Sequence, residues 1–210
     1  MTTRLQLRTA LRERLEDTAG SPLWSDATLN QHLADVVQQY GSRYPLEAST
    51  TLALAAGDTS KALPAGVEGE RLLQLADALG NPLPRATRPT AGDAPANRSS
   101  SQQLEWWDFA GALKLSRAVL TAEPGTWTLG YLAGRTLPAD DVSDSMVLAG
   151  DEPAIVYWAA AIAIERRSIA DAKRDRRPDN ELRGQAYLWR QEAEVHFRQR
   201  RRQLRSGTVN

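Results

Sequence analysis

The stretch DEPAIVYWAAAIAIERRS, residues 151–168, decides the fold. Asp151 is a good N-cap, Glu152 favours the positive helix end and Pro153 is tolerated in the first turn, so a helix starts here. From Ala154 to Ile164 every position is apolar. A helix that is apolar all round must be buried on every side by its neighbours. The run is far shorter than the roughly 18 residues a membrane span requires. Its partners must therefore be other helices, and the chain has to supply them.

Working outward, the C-terminal side turns amphipathic and basic after Glu165 until Pro178 breaks the helix. Asp179 is placed to cap a final helix over 180–205, about 40 Å long at the usual rise. Leu182, Ala186, Trp189, Ala193 and Phe197 keep a 3.6-residue period there, and the basic end is expected to project beyond the core. The N-terminus supplies two more helices. Thr3 caps a stripe of Leu7, Leu11 and Leu15, ended by Gly20, Ser21 and Pro22. Ser25 caps the next, Trp24 can close on Leu29 as a staple, and Leu29, Leu33, Val36, Val37 and Tyr40 form one face until Gly41 and Pro45. Residues 3–41 thus read as a helical hairpin that needs a partner surface.

Between these ends the period changes. Thr50, Leu52 and Leu54 alternate, Leu72, Leu73 and Leu75 begin another short run, and Trp127, Leu129 and Tyr131 share a face. Leu104 and Trp106, then Leu113 and Leu115, alternate on either side of a turn at Gly111, which predicts a hairpin. Residues 80–102 are rich in Pro, Gly, Ser and Thr and read as an exposed loop. The fold class is α+β: a helical bundle from both chain ends with a β-rich insertion in the middle. The expected divisions are 1–46, 47–150 with its long 80–102 loop, and 151–210, the last packing with 1–46.

The chain has 210 residues, 26 Lys+Arg against 26 Asp+Glu, six Trp, two His and no Cys. Disulfides, cysteine zinc sites and thiol nucleophiles are excluded. The opening MTTRLQLRTALRERL has no continuous apolar run and does not read as a signal peptide. Charge is balanced overall but not along the chain. Residues 165–205 carry 13 cations and 7 acids, a net of 13 − 7 = +6, and the first 164 residues carry the opposite −6. Only Lys61, Lys114 and Lys173 are lysines, and arginine suits bidentate pairing with carboxylate or phosphate. A bipolar chain of this kind suits head-to-tail assembly or an anion held at one end, while the plainer alternative is a solvated basic helix.

No catalytic constellation stands out. His32 and His196 lack HExxH spacing and read as partly exposed helix-face histidines. Phosphate-binding loops, dinucleotide fingerprints and nucleophile elbows are absent. Asp140, Asp141 and Asp144 in ADDVSD lack EF-hand spacing and read as a solvated acidic loop. The expectation is a protein that is no enzyme and takes no cofactor or metal. Two features suit macromolecular contacts. Arg198, Arg200, Arg201, Arg202 and Arg205 make a dense cationic C-terminus able to meet phosphates or an acidic groove. Trp106 and Trp107 are adjacent, so on a strand they face opposite sides, and either is an interface candidate if not covered within the monomer.

The order of these segments resembles the head-tail connector (adaptor, or head-completion) proteins of tailed bacteriophages and related gene transfer agents. The resemblance lies in TRLQLRTALRERLED, then WSDATLNQHLADVVQQY, a β-rich middle with ALPAGV, a tryptophan/glycine region ending in LGYLAGRTLP, and DEPAIVYWAAAIAIERRS before a basic amphipathic helix. It implies a structural virion protein at the head-tail junction, made in the host cytoplasm. Such a protein forms a homo-oligomeric ring, usually of twelve copies, under the portal. Its partners would be the portal protein and the next tail or head-completion protein, with transient contact to genomic dsDNA in the channel and no membrane. Arg198 onward would be the portal-docking element, and the β-rich insertion, larger here than in mostly helical members, would face the tail or neighbouring subunits. The competing reading is a nucleic-acid-binding protein that uses the arginine-rich final helix, which the zero net charge weakens.

Overall fold

The computed structural model describes residues 2–18, 20, 22–86, 104–123, 125–175 and 180–205, without the side chains of 174–175 and 201–205. The fold is α+β, with helices from both ends of the chain and strands between them. It divides into two compact units: residues 1–44 with 134–210, and residues 45–133.

In the helical unit, α1 (Arg4–Arg14) starts with a complete capping box, in which the Thr3 side chain accepts from the Gln6 N–H and the Gln6 side chain accepts from the Thr3 N–H. It ends well before Gly20. Glu16 adopts a left-handed backbone with φ 54°, and the Asp17 carboxylate then accepts from the Leu23 N–H at 2.6 Å, so an acid rather than the glycine turns the chain. Helix α2 (Asp26–Arg43) is capped by Ser25 as its sequence predicts, yet it runs through Gly41. Helices α3 (Glu152–Asp175) and α4 (Asn180–Arg205) complete the bundle. Contacts to α1, α2 and α4 surround α3. Ala154, Ile155, Ala159, Ala160, Ala161 and Ala163 are accordingly buried, with Trp158 and Ile164 beside them. Alanines on so many sides let three helices approach one, and the larger side chains of α1, α2 and α4 fill the remaining space. The expected breaker Pro178 and cap Asp179 lie outside the described residues.

Residues 134–150 belong to this helical unit and not, as the sequence predicts, to the β-rich insertion. The reason is electrostatic. Asp141 accepts from Arg4 Nε at 2.6 Å and from both terminal nitrogens of Arg8 at 3.1 and 2.7 Å, while Ser145 N–H donates to the Thr2 carbonyl. The acidic loop is therefore tied to α1 instead of being merely solvated. Asp140 caps the local turn, accepting from the N–H groups of Val142 and Ser143.

In the β-rich unit a four-stranded antiparallel sheet has the order β1-β7-β3-β4, from β1 (Leu46–Leu54), β3 (Leu72–Ala76), β4 (Pro82–Leu83) and β7 (Gly125–Ala133). A three-stranded sheet follows the order β2-β6-β5, from β2 (Ser60–Ala62), β5 (Trp106–Phe109) and β6 (Ala112–Leu115). The predicted hairpin is present: Trp106 pairs with Leu115 and Phe109 with Ala112 around Ala110 and Gly111, both at positive φ as a two-residue type I′ turn requires. Leu52, Leu54, Leu75, Leu104, Trp106, Leu113, Leu115, Trp127 and Leu129 form one buried cluster. Of the 80–102 loop, residues 80–86 are described and the rest lie outside the described residues.

Candidate functional site

The expected docking arginines begin on α4, whose inward side is bound into the helical unit. Trp189, Ala193 and Phe197 are buried, and the Phe197 ring lies 5.6 Å from Trp158, 5.9 Å from Tyr40 and 6.0 Å from Tyr44. The Tyr44 hydroxyl donates to the Phe197 carbonyl at 2.6 Å. Through Phe197, then, the helix is part of the core and does not project. Arg43 stacks over Trp158 at 4.7 Å and donates to Glu194 at 2.7 Å, which holds the Glu194 carboxyl below the ordinary carboxylate range.

Beside these rings sits a polar cluster. Asp151, 1% exposed, accepts from the Tyr40 hydroxyl at 2.7 Å and lies 3.0 Å from His196 Nε2. Arg200 brings its Nε to 3.7 Å from the same carboxylate, an ion-pair distance and not a hydrogen bond. The expected N-cap thus works through its main chain, since the Asp151 carbonyl accepts from the N–H groups of Ala154 and Ile155. Its side chain joins the start of α3 to the ends of α2 and α4. Burial, reinforced by the hydrogen bond to Asp151, pushes the Tyr40 phenol up, so it stays a neutral donor. The arrangement orders a helix end; it presents no nucleophile beside a base.

The expected arginines therefore separate. Arg200 turns into the unit toward Asp151, Arg198 points outward and is exposed, and the side chains of Arg201, Arg202 and Arg205 lie outside the described residues. Around Arg198 the outward side of α4 carries exposed Arg183, Tyr187, Leu188 and Val195, with Tyr187 62% and Leu188 61% exposed. Arginine and tyrosine are both enriched in protein interfaces, and the exposed leucine and valine beside them add apolar surface. Their signal in the sequence was the seven-residue step from Leu188 to Val195, which falls off the buried Ala186/Trp189/Ala193/Phe197 stripe.

The two tryptophans also separate. Trp106 is 1% exposed, donates Nε1–H to the Leu83 carbonyl at 3.1 Å and lies under Arg85, so it belongs to the core of its own unit. Trp107, opposite Lys114, is half-buried and keeps open surface. His196 is partly exposed, as expected, but His32 is not: it is 1% exposed, and its Nδ1 has no hydrogen-bond partner among the described residues. Among the described residues, no group of three or more His, Asp or Glu is placed to hold a metal ion, and no helix is long and apolar enough to cross a membrane.

No family model and no curated protein matches the chain. Among solved structures, it is similar to a chain in the neck of an empty GTA particle computed with C6 symmetry, with 20% identity over 73% of this chain and 74% of that one, at a TM-score of 0.28. A superposition that loose carries no argument about function.

Proposed function

We propose that the protein is a structural component of a phage-like head-tail junction, a connector subunit that assembles into a ring, docks on the portal and leaves a channel for DNA. The observation that carries the reading is architectural. Both chain ends fold into one helical unit and the middle forms its own β-rich unit, the arrangement that the connector resemblance implies. Its mechanism is assembly without a catalytic step: many weak contacts add up because each bound subunit raises the effective concentration of the next. The outward side of α4, with Arg198 flanked by Tyr187, Leu188 and Val195, is the portal-facing surface in this reading.

Light scattering of the protein mixed with a candidate portal ring tests it. The expected result is a stoichiometric ring complex that Arg198→Glu weakens about tenfold or more, since truncated or reversed interface arginines commonly cost upwards of 1 kcal/mol. A point variant is preferable to deleting residues 198–210, because deletion also removes Arg200 from Asp151. No complex with the portal, together with DNA binding that falls steeply with salt, would overturn the connector reading in favour of phosphate contacts.

A further inference from the structure

Among the described residues, the β-rich unit has four sheet edges, and three of them are short or covered. Strand β4 has two residues and begins with Pro82; β2 has three residues. At β5, Trp106 N–H donates to the Pro84 carbonyl and the Trp106 carbonyl accepts from Ala86, so the segment 84–86 runs along its start. These are the usual protections against edge-to-edge pairing. Among the described residues, the fourth edge has none of them. Strand β1 runs nine residues, LEASTTLAL, in unbroken register with β7, and carries no proline, no lysine and no bulge. No described residue bonds to those of its backbone groups that face away from β7. Glu47, Ser49, Thr51 and Ala53, on one side of the strand, are all exposed.

We propose that this edge pairs with β1 of a second copy of the chain, antiparallel about a two-fold axis through Thr50, joining two four-stranded sheets into one of eight. The occupant follows from the strand's own sequence. A two-fold axis at its midpoint sets Ser49 against Thr51 of the second copy, Ala48 against Leu52, and Leu46 against Leu54. Hydroxyl meets hydroxyl and apolar meets apolar. The single charge, Glu47, faces Ala53 and not its own copy, so no like charges stand opposite each other. This pairing involves only the β-rich unit and does not rest on the connector reading: neighbours in a cyclic ring are not related by a two-fold axis, so the pair belongs to the free chain and parts on ring assembly.

Charge swapping on the exposed side tests it by light scattering over a concentration series, with circular dichroism confirming that each variant folds. Ser49→Glu with Thr51→Glu sets two Glu/Glu pairs across the axis and is expected to weaken dimerisation about tenfold. Ser49→Glu with Thr51→Lys sets two Glu/Lys pairs and is expected to restore it. The chain has no cysteine, so Thr50→Cys supplies a lone thiol beside its own copy, which should oxidise to a covalent dimer faster than Glu47→Cys. This comparison stands even if the double variants misfold. A wild-type chain that stays monomeric at every concentration overturns the proposal, as do equal behaviour of the two double variants and equal cross-linking at 50 and 47.

Discussion

His32 shows how one buried ring sets a pH dependence. It lies on the core side of α2 among apolar residues, and burial first, then the nearby Arg166, drives its pKa below the ordinary 6.5, with Asp35 only partly offsetting them. The unfolded chain therefore binds a proton here that the folded chain refuses. Stability from this group is complete above pH about 6.5 and is lost as pH falls below it toward the depressed folded value, at about 1.4 kcal/mol for each unit of displacement. The carboxylates held low by arginine partners, such as Asp141 by Arg8 and Glu123 by Arg117, lose their contribution only in more acid solution. Denaturant titrations of the wild type should show falling stability from pH 6.5 toward 5, and His32→Leu should flatten that arm. An equal slope in the variant would assign the loss elsewhere.

At the scale of elements, two helix glycines separate propensity from packing. Replacing a helix glycine by alanine ordinarily stabilises by about 1 kcal/mol. At Gly184 on α4 a Cβ would meet nothing within 4 Å, so Gly184→Ala should raise the melting temperature. At Gly41 on α2 the new Cβ would stand 2.6 Å from the Arg135 backbone nitrogen. Backbone cannot swing away like a flexible side chain, so Gly41→Ala should destabilise by about 1–3 kcal/mol despite its better propensity. The same contrast explains what the sequence reveals. Caps at Thr3 and Ser25, the all-apolar run of α3 and the alternation around Gly111 are local signals, and each appears as read. The role of Gly41 depends on Arg135, and that of Asp151 on Tyr40 and His196, partners far away in the chain. Neither could be read from neighbours. Of the candidate docking residues the arginine cluster was legible as charge, but which arginine turns inward depends on Asp151 and not on spacing.

At the scale of the molecule, the helical unit is built from two separated segments whose ends meet. Arg135 Nε donates to the Tyr44 carbonyl, so the chain leaves the unit after Tyr44 and returns at Gly134 beside its point of departure. The insertion is likewise closed at its base, where Leu46 pairs with Ala133. Removing residues 45–133 and joining Tyr44 to Gly134 through a short glycine-serine linker should therefore leave a folded helical protein, because little loop entropy is at stake. Circular dichroism and a cooperative melt would check this; a molten, non-cooperative product would show that the β-rich unit is needed to hold the helices.

The adjacency of Tyr44 and Arg135 also bears on heredity. A gene encoding such a chain could lose, lengthen or trade the whole intervening segment in one recombination event, with both junctions falling at neighbouring points and no helix displaced. Lineages sharing the helical body could therefore carry quite different middles, and their kinship would be easier to detect at the two ends of the chain than across its full length.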